Sequence, residues 1–298
     1  MYVLRDKEDN VVAPSASATA LRWWFAVEMR RMREAAGVTR DQAATAVVGS
    51  VANIGHVEVG RALPKPLELQ KLLETYGVPE RNDFFQDLRL RVKRGRDWWV
   101  GFRESVPDDW KLHLGLEVSA VQIESWNAHV IPGLFETRDT TDAIMRASHP
   151  DLDEQAITKR VELRMTRQVE VLDRNEPPLL WAVIAESALH WPVGGARVHR
   201  AQLAHLVELS ERPTITIQIL PFAAGAHLGN EGTFTILSAP PELRHIPGCV
   251  TVEDRIRMQY YDEPGQLMTY RNDLARLKIQ ALRPEESVAH LHQLAKEP

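Results

Sequence analysis

The chain has 298 residues, 44% of them apolar, enough to bury a sizeable core and suited in length to about two domains. Its formal net charge of −5 offers no bulk attraction to phosphate, so any nucleic-acid binding must come from local clusters. A single cysteine, Cys249, excludes an internal disulfide framework and fits a reducing compartment. No run of about 18 uncharged apolar residues offers a membrane span, and the charged opening MYVLRDKEDNVV lacks the apolar centre of a signal peptide, so a cytoplasmic protein is expected.

Residues 1–18 read as a flexible N-terminal arm. The small polar run from Pro14 to Thr19 leads into Leu21, Trp23, Trp24 and Phe25, so a first helix begins early with bulky aromatics at its front. Aromatics of this size rarely stay wet, and packing of Trp23 or Trp24 against the C-terminal domain or a dimer mate is expected, with a wedge into DNA as the alternative. The stretch 38–65, VTRDQAATAVVGSVANIGHVEVGRALPKP with its flanks, reads as two short helices around a tight turn. Thr39 can cap the first, Ala43, Ala44 and Val47 face inward, and Gly49 is expected to supply the bend. Ser50 can cap the second helix, 51–58, in which Ile54 and Val57 point to the core and Val51, Ala52, Asn53 and His56 point out.

That outer face is the candidate DNA-reading surface, with Arg40, Gln42, Ser50, Val51, Ala52, Asn53, His56, Arg61 and Lys65 as its residues. Asn53 is the base reader, because its amide can pair bidentately with adenine, while Val51 or Ala52 can touch a thymine methyl. Residues 1–80 hold roughly ten basic and ten acidic side chains, so a phosphate rim must be assembled locally, from Arg30, Arg31 and Arg33 on the first helix with Arg40, Arg61 and Lys65. Gly55 inside so short a helix weakens it by about 1 kcal/mol relative to alanine.

An apolar stripe of Leu69, Leu72, Leu73 and Tyr76 predicts a helix over 66–76, stopped by Gly77 and Pro79. A further helix over 83–93 turns Phe84, Phe85, Leu88 and Val92 inward, and the basic run at 89–96 lies at its end, either as added phosphate contacts or as a solvated face. The reader is therefore an all-α, five-helix-type helix-turn-helix domain over 19–95. Residues 96–298 form a second domain, with helices over 137–147, 153–172, 198–210, 264–282 and 284–295. Strands are predicted over 119–126, 179–185, 214–220, 233–237, 249–252 and 255–261. Helices and strands mixed without strict alternation predict an α+β fold with a largely antiparallel sheet.

With Met29, Arg30, Met32, Arg33, Glu34 and Gly37 ahead of the helix pair, the N-terminal region resembles the XRE, phage-repressor-like, helix-turn-helix regulators. Farther on, VIPGLFET, RVELRMTRQ, ESALHWPVGG and ERPTITIQILPFAAGAHLG resemble the large C-terminal domain that accompanies this reader in many actinobacterial regulators. The resemblance implies a DNA-binding, antitoxin-like regulator whose large domain binds a small protein often encoded beside it. Readers of this sort usually address paired half-sites on double-stranded DNA, so a homodimer is expected.

The large domain carries no nucleophile elbow, no zinc-protease motif and no phosphate loop, so an enzyme is not expected. Gly225, Gly229 and Gly232 lie between two strands and read as a connecting loop rather than a dinucleotide loop. His290 with His292, and His199 with His205, are badly spaced for a metal, and no cofactor is expected. Cys249 reads as a buried small hydrophobe. Trp126 and His129 beside Pro132, Gly133 and Leu134, and Phe222 and His227 beside Pro221, Gly225 and Ala226, can line a pocket for a small molecule or a partner peptide; turns packed on the sheet are the alternative. Three functions remain open: a regulator controlled by a small partner protein, one that senses a small molecule, and an enzyme fused to a reader.

Overall fold

A computed structural model describes residues 16–240, 243, 248–254 and 256–296. Most of the expected arm, and Arg255 at the start of the last expected strand, lie outside the described residues.

Five helices open the fold: α1 (Ala18–Ala35), α2 (Arg40–Ala46), α3 (Val51–Glu58), α4 (Pro66–Thr75) and α5 (Asn82–Arg94). Ser17 caps α1 by accepting the Ala20 N–H on its hydroxyl, and the stripe Leu21, Trp24, Phe25, Met29 and Met32 is buried. Phe25 meets Phe85 of α5 edge to face at 5.4 Å. Trp24 is fully buried and Trp23 packs on the same core, as the aromatic front of the helix predicts. Beyond α5, Asp97 accepts the hydroxyls of Ser17 at 2.5 Å and Thr19 at 2.7 Å, which fastens the end of this helical unit to its beginning.

The chain then forms a short 3-10 turn, Trp98–Phe102, and a helix the sequence pattern did not reveal, α6 (Trp110–Ser119). Its whole second half is buried, so it has no polar stripe from which amphipathic spacing could be read. α1 and α6 cross closely. A Cβ on Gly115 would stand 2.7 Å from the Ser17 hydroxyl, and Ser119 Oγ accepts the Ser17 N–H at 2.9 Å. The apolar core consequently runs without a break from the five helices into the sheet.

Six strands follow, with helices between them: β1 (Gln122–Asn127), α7 (Arg138–Ser148), α8 (Glu154–Leu172), β2 (Leu179–Ala185), α9 (Ala196–Ser210), β3 (Ile215–Leu220), β4 (Phe234–Ser238), β5 (Cys249–Glu253), β6 (Met258–Tyr261), α10 (Pro264–Gln280) and α11 (Pro284–Leu294). The order across the sheet is β3-β2-β1-β4-β5-β6. β1, β2 and β3 are parallel, joined by helical crossovers, whereas β1-β4, β4-β5 and β5-β6 are antiparallel. The fold is α+β with a mixed sheet, antiparallel in three of its five pairings. α10 covers one face through Leu267, Leu274 and Leu277, and the other face receives α6, α8 and α9. The edge strand β3 is blunted: the Ser287 hydroxyl of α11 accepts the Ile219 N–H, and the Leu282 N–H donates to the Ile219 carbonyl.

Candidate nucleic-acid interface

α2 and α3 form the expected helix-turn-helix. Thr39 and Gln42 close a reciprocal capping box, the Thr39 N–H donating to Gln42 Oε1 at 2.8 Å and the Gln42 N–H to Thr39 Oγ1 at 3.2 Å. The Gln42 side chain is thus engaged at the helix start. Ser50 Oγ accepts the Asn53 N–H at 3.1 Å, and Ser50 is exposed. Ile54 and Val57 are buried as expected. Val51, Ala52 and His56 are exposed, and Asn53 is half-buried on the same side.

The bend differs from expectation. Gly49 keeps an ordinary backbone conformation, and Val48 takes the left-handed one, with φ of +53°. A β-branched residue resists this region because its Cβ crowds the backbone, and Val48 offsets nothing by packing, being 96% exposed. The glycine stands one residue late for the turn it was expected to make.

The phosphate rim is also smaller than the arginine count promises. Arg33 is buried, its Nε donating to Glu58 Oε1 at 2.5 Å, and Arg40 Nε donates to the other oxygen of Glu58 at 2.8 Å. One carboxylate therefore ties α1 and α2 to the end of α3. Burial pushes the Glu58 carboxyl up, but the hydrogen bonds and charges of Arg33 and Arg40 outweigh it and hold it below its usual value. Arg30 donates to Asp262 at 2.8 Å and to Glu263 at 3.3 Å, and Arg31 reaches the Asp262 carbonyl, so these two bind the segment that leads into α10. Of the expected rim, Arg61 and Lys65 stand exposed past α3, with Lys65 loosely paired to Glu68 at 3.5 Å. Arg40 keeps about half of its side chain in solvent, 47% exposed. In the basic run at 89–96, Arg89 is buried, while Lys93, Arg94 and Arg96 are exposed.

In the large domain the four candidate pocket residues do not share a cavity. Trp126 is fully buried; its indole N–H donates to the Gly229 carbonyl at 2.9 Å, and the His227 ring stands edge to face with it at 5.2 Å. A Cβ on Gly229 would lie inside that indole, so close approach explains this glycine. Gly225 and Gly232 have positive φ, as a strand-connecting loop requires. Phe222 is exposed against His190 at 5.7 Å, its N–H donating to Glu186 Oε2, and His129 is exposed elsewhere. Cys249 is buried, and burial pushes its thiol far up, which keeps it protonated and unreactive.

The neighbouring loop does open onto a cavity. Pro132, Gly133 and Leu134 border a space of about 400 Å³ between the sheet, α6, α7 and α8. Its charged wall was not foreseen: Arg167 donates to both oxygens of Glu117 at 2.6 and 2.7 Å, and Arg164 donates to Glu136 at 2.6 Å. Burial raises the Glu117 carboxyl, but Arg167 and His113 bring it down to about 2. The signal available in sequence was the pair Arg164 and Arg167, three apart on one face of a helix, with His113 and Glu117 four apart on another.

A family model described as Domain of unknown function (DUF5753) matches residues 110–293. A second, described as Helix-turn-helix domain, matches residues 24–83. No curated protein and no solved structure matches the chain.

Proposed function

The chain belongs to the family defined by the Domain of unknown function (DUF5753), carried behind a helix-turn-helix domain, and from that premise we propose a sequence-specific regulator of the XRE type whose sheet domain controls DNA binding. The helix-turn-helix domain makes the protein a DNA-binding regulator. One observation carries the finer reading: α3 starts on a serine cap and turns Val51, Ala52 and His56, with Asn53 beside them, outward, with the exposed cations Arg61 and Lys65 following it in the chain and Arg40 bonded at its last residue. A helix presented in this way fits a major groove, with Asn53 reading adenine, Val51 and Ala52 meeting thymine methyls, and the flanking cations on phosphates.

Two half-sites on one duplex call for a homodimer. Control through the sheet domain is supported by its attachment to α1, both by the Arg30 and Arg31 contacts at Asp262 and by the close α1–α6 crossing. A change in the sheet domain can therefore re-aim the reader. The antitoxin-like form, in which a small protein encoded nearby docks on this domain, is supported by the sequence resemblance; a sensed small molecule is supported by the cavity. A regulatory rather than enzymatic role rests on the motifs of the sequence.

The test is fluorescence anisotropy with a duplex of the gene's own upstream region and a scrambled duplex of equal composition, at about 50 and 200 mM salt. The proposal expects tighter retention on the upstream duplex at both salts. Equal, steeply salt-dependent retention on the two duplexes, with cell extract supplied as a source of partner or effector, would end it.

A further inference from the structure

The arginines of the reader fall into two sets. One set is answered within the protein, as Arg33 and Arg40 are by Glu58. In the other, Arg22, Arg61, Arg94 and Arg96 form no ion pair or side-chain hydrogen bond among the described residues. Arg61, Arg94 and Arg96 are exposed, and Arg22 is half-buried. Cations without partners add nothing to the fold through pairing, and where they are set close together they repel one another.

The fold does set them close together. Gly60, beside Arg61, and Gly95, between Arg94 and Arg96, both pack on α1. A Cβ on Gly60 would stand 3.5 Å from Arg22 Cγ and 3.7 Å from Ala26 Cβ, and one on Gly95 would stand 3.0 Å from Ala18 Cβ. Ala18, Arg22 and Ala26 follow one another at intervals of four, so they share one face of α1, and the two contacts lie roughly 6 Å apart along it. The exits of α3 and α5 are thereby held side by side, with Arg22 at their meeting point. Asp97, which follows Arg96, accepts the Ser17 hydroxyl at 2.5 Å on one oxygen and the Thr19 hydroxyl at 2.7 Å on the other, so it fastens the start of α1 and answers none of these cations.

We propose that this surface is a second DNA contact, in which Arg22, Arg61, Arg94 and Arg96 bind backbone phosphates of the duplex beyond the stretch read by α3. Duplex DNA presents a negative charge about every 1.7 Å of its axis, so a strip of cations at this spacing meets phosphates whatever the sequence. Continuity with the reader favours DNA over an acidic protein: Arg61 closely follows α3 and is itself followed by Lys65, so the strip begins where the reading helix ends. α5 thus supplies the phosphate attraction that α3, with no Lys or Arg of its own, lacks. The inference rests on the proposed reading by α3 for where the duplex lies, whereas the phosphate contacts themselves do not depend on sequence discrimination.

The test is a salt titration of the full chain on the upstream and scrambled duplexes. Arg94→Gln with Arg96→Gln leaves the melting temperature unchanged, weakens both duplexes alike and lowers the salt slope by about 2, while the ratio between the duplexes stays that of the parent. Arg94→Lys with Arg96→Lys restores the slope, because lysine binds phosphate as a point charge. Lys159→Gln with Arg200→Gln makes the same change of net charge at exposed positions of α8 and α9 and leaves the slope as it was. A slope unmoved by the α5 pair, or moved equally by the α8 and α9 pair, would overturn the assignment. So would a pair of glutamines that spares DNA but abolishes retention on polyglutamate, which would give the surface to an acidic protein. The two ideas fail separately: a lowered slope in a chain whose parent does not prefer the upstream duplex ends the sequence-specific reading and keeps the second contact, and a clear preference with an unmoved slope does the reverse.

Discussion

The reader and the sheet domain both hold arginine–carboxylate pairs, and they use them to opposite ends. In the reader, Glu58 is closed off by Arg33 and Arg40, and the pairs lock three helices together while the outer face of α3, proposed to meet DNA, carries no Lys or Arg of its own. In the sheet domain, Glu117–Arg167 and Glu136–Arg164 stand at the wall of an open space. The contrast teaches that counting arginines in a sequence says little about where positive charge is available. Arg30, Arg31, Arg33, Arg40 and Arg81 of the reader are all spent on carboxylates or carbonyls of the protein itself.

The largest test of this contrast removes the lock. Glu58→Ala leaves the Arg33 guanidinium buried without its partner, and stability falls by about 3–5 kcal/mol, read as a shift of the urea midpoint. A loss below about 1 kcal/mol would place this pair with ordinary surface bridges and erase the distinction drawn between the two regions. The pH dependence has a fixed sign. The folded value of Glu58 is depressed, so its stabilisation is complete above its unfolded value near 4.5 and drains away as pH falls through the folded value. Glu58→Gln therefore flattens the acid limb of the stability curve, and Glu253→Gln, whose parent carboxyl is raised rather than lowered, does not.

Next in size is the reading face. Asn53→Ala weakens binding to the upstream duplex by about 1–3 kcal/mol at one base position and leaves scrambled duplex unchanged. Arg61→Ala weakens both duplexes alike and reduces the salt slope by about 1. Arg40→Ala is the informative third variant, because its guanidinium already serves Glu58. It costs folding stability as well as affinity, whereas a pure phosphate contact costs affinity alone.

Much of this arrangement is legible in the residues, and what is not has identifiable causes. The caps Thr39 and Ser50 announce themselves by residue type ahead of a helix, the apolar stripes of α1, α4 and α5 by helical spacing, and β2 and β3 by short runs of branched and apolar residues. α6 is hidden because it is buried nearly all round, and the direction of the β1, β2 and β3 pairings depends on crossovers that no local pattern encodes. The fate of Arg30, Arg31 and Arg33 is a tertiary fact: their partners lie 25 or more residues away in Glu58, Asp262 and Glu263. Trp126 and His227 do meet, but as closed packing, while the cavity collects Glu117, Arg164, Arg167 and Glu253 from three separate elements.

The smallest expected effect concerns the turn between α2 and α3, which belongs to neither use of charge and so isolates the backbone. Val48 sits at φ of +53° and 96% exposed, so a change to glycine removes the crowding of a branched Cβ without removing any packing. The left-handed conformation costs a branched residue about 1–2 kcal/mol, and glycine's extra freedom in the unfolded chain returns about 0.5–1 kcal/mol of that. Val48→Gly is accordingly expected to raise stability by about 0.5–1 kcal/mol, seen as a higher urea midpoint at unchanged slope. Because the bend sets the angle of α3, the same variant also asks whether strain holds the reading face in place. Unchanged upstream-duplex affinity assigns the orientation of α3 to the Glu58 lock, while a fall in affinity alongside the gain in stability assigns part of it to the strained valine.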